Sequence, residues 1–237
     1  MRWTTARPTR RSGELTGRPR RPHRLVRLPG VYPPQADSFL LARTLVCEPI
    51  EHRTRVLDVG AGTGLLSVSA GLAGTARITA VDVDRRSLLN TRLNAALNGV
   101  RVRVVHGDLV RPLHGSQFDV VVTNPPYVPT AEEHLPTRGL ARCWDAGRDG
   151  RAYIDRICRD VPELLASGGV LLLVQSTLCG IDATRSLLEQ QGLDVDVVAA
   201  ASIPFGPVLT ARAAMLRERG LLGNEDHEDI VVLRAVK

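Results

Sequence analysis

The segment Val56-Leu57-Asp58-Val59-Gly60-Ala61-Gly62-Thr63-Gly64 narrows the folds open to this chain more than any other. A short apolar run ends in alternating glycines, and a helical pattern, Leu65 to Leu72, begins at once. A strand that empties into glycines and reopens as a helix starts a β-α-β unit, whose strands lie parallel. The alternation continues downstream. Strands are expected at 55–59, 77–81, 100–105, 118–122, 170–174, 193–199 and 230–235, and helices at 39–46, 65–72, 87–97, 153–165 and 183–191. The third of these helices rests on Leu89, Leu93 and Leu97 recurring every four residues, with Asn98-Gly99 as a left-handed stop. Asp37-Ser38 stand as caps for the first helix, and Asp84 caps the helix after the second strand. The reading is an α/β fold: a seven-stranded, mostly parallel sheet with helices on both faces. On such a sheet, ligands bind at the carboxyl ends of strands where the strand order reverses.

The 237 residues suffice for one such domain, and no apolar run approaches the roughly 20 residues of a membrane span. The arginine-rich start has no apolar stretch behind it, which excludes a secretory signal. Cys47, Cys143, Cys158 and Cys179 have no CxxC spacing, and His106, His114 and His134 form no HxxxH pair, so neither a zinc site nor a disulfide framework is expected. A reducing cytoplasm fits this cysteine usage. The net charge of +6 separates sharply along the chain: residues 1–28 carry nine arginines against Glu14, while the rest is near neutral at −2. Residues 1–28 are therefore read as a disordered tail and 29–237 as the folded domain. Such a tail is also a ready contact for nucleic acid.

Three loop tips follow three strands. Gly60, Gly62 and Gly64 let the backbone approach a ligand and aim N–H groups at it. The dinucleotide fingerprint would need glycine where Leu65 stands, and no Walker GK[ST] is present. Asp82 ends the second strand, where a carboxylate can accept both hydroxyls of a ribose. Asp108 follows the third strand and can take the exocyclic amine of an adenine; a surface turn explains it equally well. Together the tips describe a nucleoside pocket without a phosphate clamp. The motif Asn124-Pro125-Pro126-Tyr127 follows the strand FDVVVT. Its prolines remove two donors and stiffen the chain, so the Asn124 side chain and Pro125 carbonyl stand as acceptors for both hydrogens of a planar NH₂, with Tyr127 free to stack on its face.

With these residues the chain resembles class I S-adenosylmethionine-dependent methyltransferases of the HemK-like group, which methylate the glutamine side chain of release factors. Gly30-Val31-Tyr32, Pro34 and Asp37-Ser38-Phe39-Leu40-Leu41 resemble the segment before the glycine loop in the short, eukaryotic/archaeal-type branch, and Trp144-Asp145-Ala146-Gly147-Arg148-Asp149-Gly150 resembles that family's element after NPPY. Pro33 and Ala36 stand where that branch carries glutamates. The resemblance implies a Rossmann-like fold and S-adenosyl-L-methionine as cofactor, held by Asp58, Gly60, Ala61, Gly62, Gly64, Asp82, Val83, Asp108, Leu109 and Asn124. It assigns the transfer itself to Asn124, Pro125 and Tyr127, with no metal, and it admits a small activating partner subunit.

The same motif serves enzymes that methylate exocyclic amines of DNA or RNA, so a nucleic-acid acceptor is the competing expectation, with a small-molecule amine as the third. Arg148 and Asp149 are expected to form a structural salt bridge in their loop, with contact to a substrate backbone as the alternative, and Trp144 to fill core beneath the loop, with packing against substrate as the alternative. Residues 204–228 exceed a tight hairpin and are expected as a rim over the acceptor or as an exposed helical excursion.

Overall fold

The computed structural model describes residues 24–132 and 134–237; most of the expected arginine-rich tail, residues 1–23, lies outside them. The chain forms β1 (Arg55–Val59), β2 (Arg77–Asp82), β3 (Val102–His106), β4 (Phe118–Thr123), β5 (Leu165–Ser176), β6 (Asp194–Pro204) and β7 (His227–Val236). They make one sheet in the order β3-β2-β1-β4-β5-β7-β6, in which β7 alone runs antiparallel, against β5 and β6. The helices are α1 (Ala36–Leu45), α2 (Leu65–Ala73), α3 (Arg85–Leu97), α4 (Ile154–Asp160), α5 (Ile181–Gln190) and α6 (Pro207–Glu218).

The central strands read as continuous apolar runs because both faces are covered. Val56, Val120, Leu172 and Val232 pack toward α1 and α2, through Leu41, Leu45 and Leu66. Their neighbours Leu57, Val121, Leu171 and Leu233 pack on the other face against Ile154 and Ile157 of α4 and Leu188 of α5. Truncating any such enclosed leucine to alanine costs about 2–5 kcal/mol. The chain winds outward from β1 through β2 to β3, then crosses back to place β4 on the opposite side of β1. That reversal opens a crevice at the carboxyl ends of β1 and β4.

Several elements differ from the reading of the sequence. The helix expected over 153–165 stops at Asp160 because Pro162 lacks an N–H and starts a separate single turn, Pro162–Leu164. The Leu89, Leu93 and Leu97 stripe of α3 faces solvent, at 57%, 38% and 43% exposure, and the buried face is polar, with Asn90, Thr91 and Asn94 enclosed. That polar face holds residues 24–28, which charge alone had assigned to the tail. The backbone N–H groups of Arg24, Val26 and Leu28 donate to the Oδ1 atoms of Asn98, Asn94 and Asn90 at 3.0, 2.8 and 2.8 Å. The amide groups of Asn90 and Asn94 return hydrogen bonds to the Val26 carbonyl. This extended strap delivers Gly30 and Tyr32 to the crevice. The 204–228 excursion contains α6, whose Leu209, Ala213 and Leu216 are buried and pack with Phe205 and Val128.

Candidate active site

A cavity of about 550 Å³ occupies the crevice, walled by the glycine loop after β1, the ends of β2, β3 and β4, the first turn of α1, and residues 138–144. Gly60 and Ala61 donate their N–H groups to the Val81 carbonyl, which draws the loop across the end of β2. Gly60 and Gly62 have φ of +74° and +55°, a region that disfavours side chains. A Cβ on either would meet only backbone oxygens near 4 Å, so these two positions keep a bed open beside the cavity. Gly64 is different. It lies behind the wall, and a Cβ there would come within 2.9 Å of Thr91 Cα, so this glycine lets α2 and α3 pack closely. From α3, Thr91 and Asn94 donate to the carbonyls of Gly62 and Thr63, holding the loop from below.

Asp82 stands on the floor, with Oδ2 accepting from Gly62 N at 2.9 Å and Oδ1 from Asp84 N at 2.8 Å. Burial pushes its carboxyl above the ordinary range, opposed by these hydrogen bonds. Each oxygen keeps a lone pair for a ligand hydroxyl. Asp84 caps α3 as expected, accepting from Ser87 N. Val83, Asp108 and Leu109 line the wall, but Asp108 is already paired with Arg156 at 2.6 Å. Asp58 does not reach the cavity. It is fully enclosed, its Oδ2 accepts from Ser67 N and Oγ in the first turn of α2, and burial raises its carboxyl to about 6. The resemblance implies a direct cofactor contact for it; here it lies behind the glycine loop, outside the cavity lining, with its buried Oδ1 left without a hydrogen-bond partner among the described residues.

At the far end, Asn124, Pro125 and Tyr127 meet the same cavity. Thr123 Oγ1 donates to the Val59 carbonyl, tying the end of β4 to the end of β1. Neither the Asn124 Oδ1 nor the Pro125 carbonyl has a hydrogen-bond partner among the described residues. Tyr127 is almost fully buried; burial first, and then the neighbouring Asp37, lifts its hydroxyl well above the usual phenol range. Asp37 and Ser38, expected as helix caps, turn into the site. Gln35 is the N-cap of α1, while Asp37 Oδ2 accepts from Asn124 Nδ2 at 3.0 Å and from the Tyr127 hydroxyl at 2.8 Å.

The element after NPPY explains itself through packing. Residues 128–130 bond to 144–147: Val128 N donates to the Trp144 carbonyl at 2.7 Å and Thr130 N to that of Gly147 at 2.9 Å. Gly150, at φ +75°, abuts the Tyr127 carbonyl and the Cys179 sulfur, and a Cβ there would lie 2.4 Å from that oxygen. Trp144 is half-buried and lines the cavity, its ring 5.6 Å from that of Tyr32, rather than filling core below. Asp149 accepts from Arg151 N, and Arg151, which the sequence reading passed over, reaches the Gly180 carbonyl, Thr184 and Asp155. Arg212 of α6 pairs with Asp145 at 2.6 Å and donates to the Pro129 carbonyl, and Arg219 donates to those of Thr130 and Arg148. The excursion is therefore a brace behind the NPPY loop. No group of three potential metal ligands meets among the described residues.

Comparison with known proteins agrees with this geometry. The Methyltransferase small domain family matches residues 23–138. A Methanocaldococcus jannaschii chain named for protein N5-glutamine methyltransferase activity is 35% identical over 78% of this chain and 92% of its own length. Human methyltransferase HEMK2 is 32% identical over 69% of this chain and 79% of its own. A release factor glutamine methyltransferase of Bacillus cereus is 31% identical over 59% of this chain and only 52% of its own length. Among solved structures, Mtq2 in the E. cuniculi Mtq2–Trm112 complex, which methylates the eRF1 translation termination factor, superposes with a TM-score of 0.61 at 22% identity. It covers 88% of this chain and 99% of that one.

Proposed function

The chain belongs to the HemK-like family of class I S-adenosylmethionine-dependent N-methyltransferases, and from that premise we propose that it methylates the glutamine side chain of a peptide chain release factor. The observation that carries this reading is the meeting of two unpartnered acceptors, Asn124 Oδ1 and the Pro125 carbonyl, with a glycine-bedded, acid-floored cavity. The residues fit the cofactor. The open bed at Gly60 and Gly62 suits a close-lying chain, Asp82 offers lone pairs for ribose hydroxyls, and Val83 and Leu109 flank the space for a base. S-adenosyl-L-methionine supplies a methyl group on an electron-poor sulfonium carbon. Asp108 contributes less freely than the motif suggested, because Arg156 holds it.

The acceptor end addresses the chemical difficulty. An amide nitrogen is a poor nucleophile, its lone pair being delocalised into the carbonyl. Asn124 Oδ1 and the Pro125 carbonyl accept its two hydrogens, and Tyr127 presents a ring to its flat face, so the nitrogen is oriented for in-line attack. As the nitrogen–carbon bond forms, positive charge grows on nitrogen and both hydrogen bonds strengthen, which favours the transition state over the ground state. The nitrogen then sheds one hydrogen as a proton along those acceptors to water.

The methanogen and Bacillus cereus relatives support a protein acceptor by their names. A small activating subunit also fits: Leu89, Leu93 and Leu97 expose an apolar stripe on α3, next to β3, the terminal strand of the sheet. No helix among the described residues is long and apolar enough to cross a membrane, and a release-factor substrate sets the reaction in the cytoplasm. Incubation with radiolabelled S-adenosylmethionine, recombinant release factor and total RNA tests the acceptor. Label on a release-factor glutamine is expected; label on RNA with none on the factor rejects the proposal in favour of a nucleic-acid amine.

A further inference from the structure

We infer that Asp37 and Ser38 set the orientation of the Asn124 amide, making it an acceptor-only group toward the substrate and so deciding which end of a substrate amide faces the methyl donor. This deepens the proposed function and rests on Asn124 as the substrate contact.

The assignment follows from counting hydrogens. An ionised carboxylate only accepts. Asp37 Oδ1 accepts from Ser38 N at 2.6 Å and from the Ser38 hydroxyl at 3.2 Å. The single hydroxyl hydrogen of Ser38 is thereby committed, and its oxygen accepts from Asn124 Nδ2 at 3.0 Å. The other Nδ2 hydrogen goes to Asp37 Oδ2, which also takes the Tyr127 hydroxyl. Both hydrogens of the Asn124 amide are therefore used on the α1 side. Turned by half a rotation, the amide would set its oxygen against a carboxylate oxygen and lose both bonds. The two ends of an asparagine amide are nearly isosteric, so without this network nothing in its shape selects one.

The consequence is a polarity for the substrate. A glutamine side chain offers an NH₂ at one end and a carbonyl oxygen at the other. Asn124 Oδ1 attracts the first and repels the second, so nitrogen, not oxygen, is placed for methylation. A glutamate side chain, with two oxygens and a negative charge, is refused by the same oxygen and by Asp37 behind it. Asp37 acts through Asn124 and Tyr127 and is a positioning residue.

The test uses the full chain with a release-factor peptide bearing the acceptor glutamine. In Asp37→Asn the new side-chain oxygen stays with Ser38 N–H, and its NH₂ faces Asn124, which turns over and shows its own NH₂ to the cavity. We expect kcat to fall by about 100-fold or more, the scale of losing a transition-state hydrogen bond, while the dissociation constant for the cofactor changes by less than about threefold. Adding Asn124→Asp restores an acceptor toward the substrate, because the new carboxylate accepts from the introduced amide and from Ser38. The double variant should recover at least about tenfold over Asp37→Asn. A merely structural Asp37 would not produce that rescue. Unchanged kcat in Asp37→Asn, or a double variant no better than the single, overturns the inference. Should Asp37→Asn not fold or not bind cofactor, Ser38→Ala decides: a lower kcat with intact cofactor binding supports the inference, and unchanged kcat overturns it. If the native chain itself leaves the glutamine unmodified, the acceptor reading fails instead.

Discussion

Asp82 combines two demands that pull its chemistry apart. Its carboxyl is buried, which favours the neutral form, yet both oxygens accept backbone N–H groups and a ligand hydroxyl needs the ionised form. Affinity for the cofactor should therefore be full at neutral pH and fall as acidification protonates Asp82 above the usual carboxylate range. Asp82→Asn should weaken binding by about 10- to 100-fold and flatten that decline; calorimetric titration between about pH 4.5 and 8 measures both. An equally steep decline in the variant would place the titrating group elsewhere. Asp82 was legible in the sequence because strand, carboxylate and glycine loop lie within a short stretch. Asp37 was not. Its partners Asn124 and Tyr127 are 87 and 90 residues downstream, and beside a helix start an aspartate looks like a cap. Asp58 is the opposite case: a carboxylate just before the glycines suggests a ligand contact, and the fold turns it inward toward Ser67.

At the scale of elements, α3 shows how a correct outline can rest on the wrong face. Its leucine periodicity announces a helix, but those leucines are outside and three asparagines spaced four apart grip the strap. Polar periodicity carries no burial signal by itself, and its partner segment is disguised by arginines. Asn94 makes the decisive contacts, taking Val26 N–H and donating to the carbonyls of Val26 and Thr63. Asn94→Ala should cost about 2–4 kcal/mol, because buried backbone groups lose partners, and should weaken cofactor binding as the glycine loop loosens. Urea unfolding and calorimetry read these separately; an unchanged midpoint would mean that water replaces the amide at no cost. The parallel strands were the most legible elements, since burial on both faces writes itself as uninterrupted apolar residues. The part played by α6 was not legible, because it lies in Arg212 and, just past the helix end, Arg219, whose partners come from a distant loop.

For the whole molecule, the reversal of strand order between β1 and β4 brings residues from four separate strand ends, α1 and the strap to one crevice. The same architecture confines Asp58, whose carboxyl at about 6 lies above its value in an unfolded chain. The folded state then binds that proton more tightly, so stability is greatest below the unfolded value and falls as pH rises from about 4 to about 6. Asp58→Asn keeps an oxygen for Ser67 and removes this component. Its melting temperature relative to the parent should rise across that interval, and parallel curves would contradict the assignment.

The strap has one more outcome. Arg24 is bonded to Asn98, just beyond the carboxyl-terminal end of α3, whereas the amino-terminal end of that helix adjoins Asp82. A helix of 13 residues is about 20 Å long. A fluorophore or an affinity handle joined directly at Arg24 is therefore attached at the pole remote from the cavity.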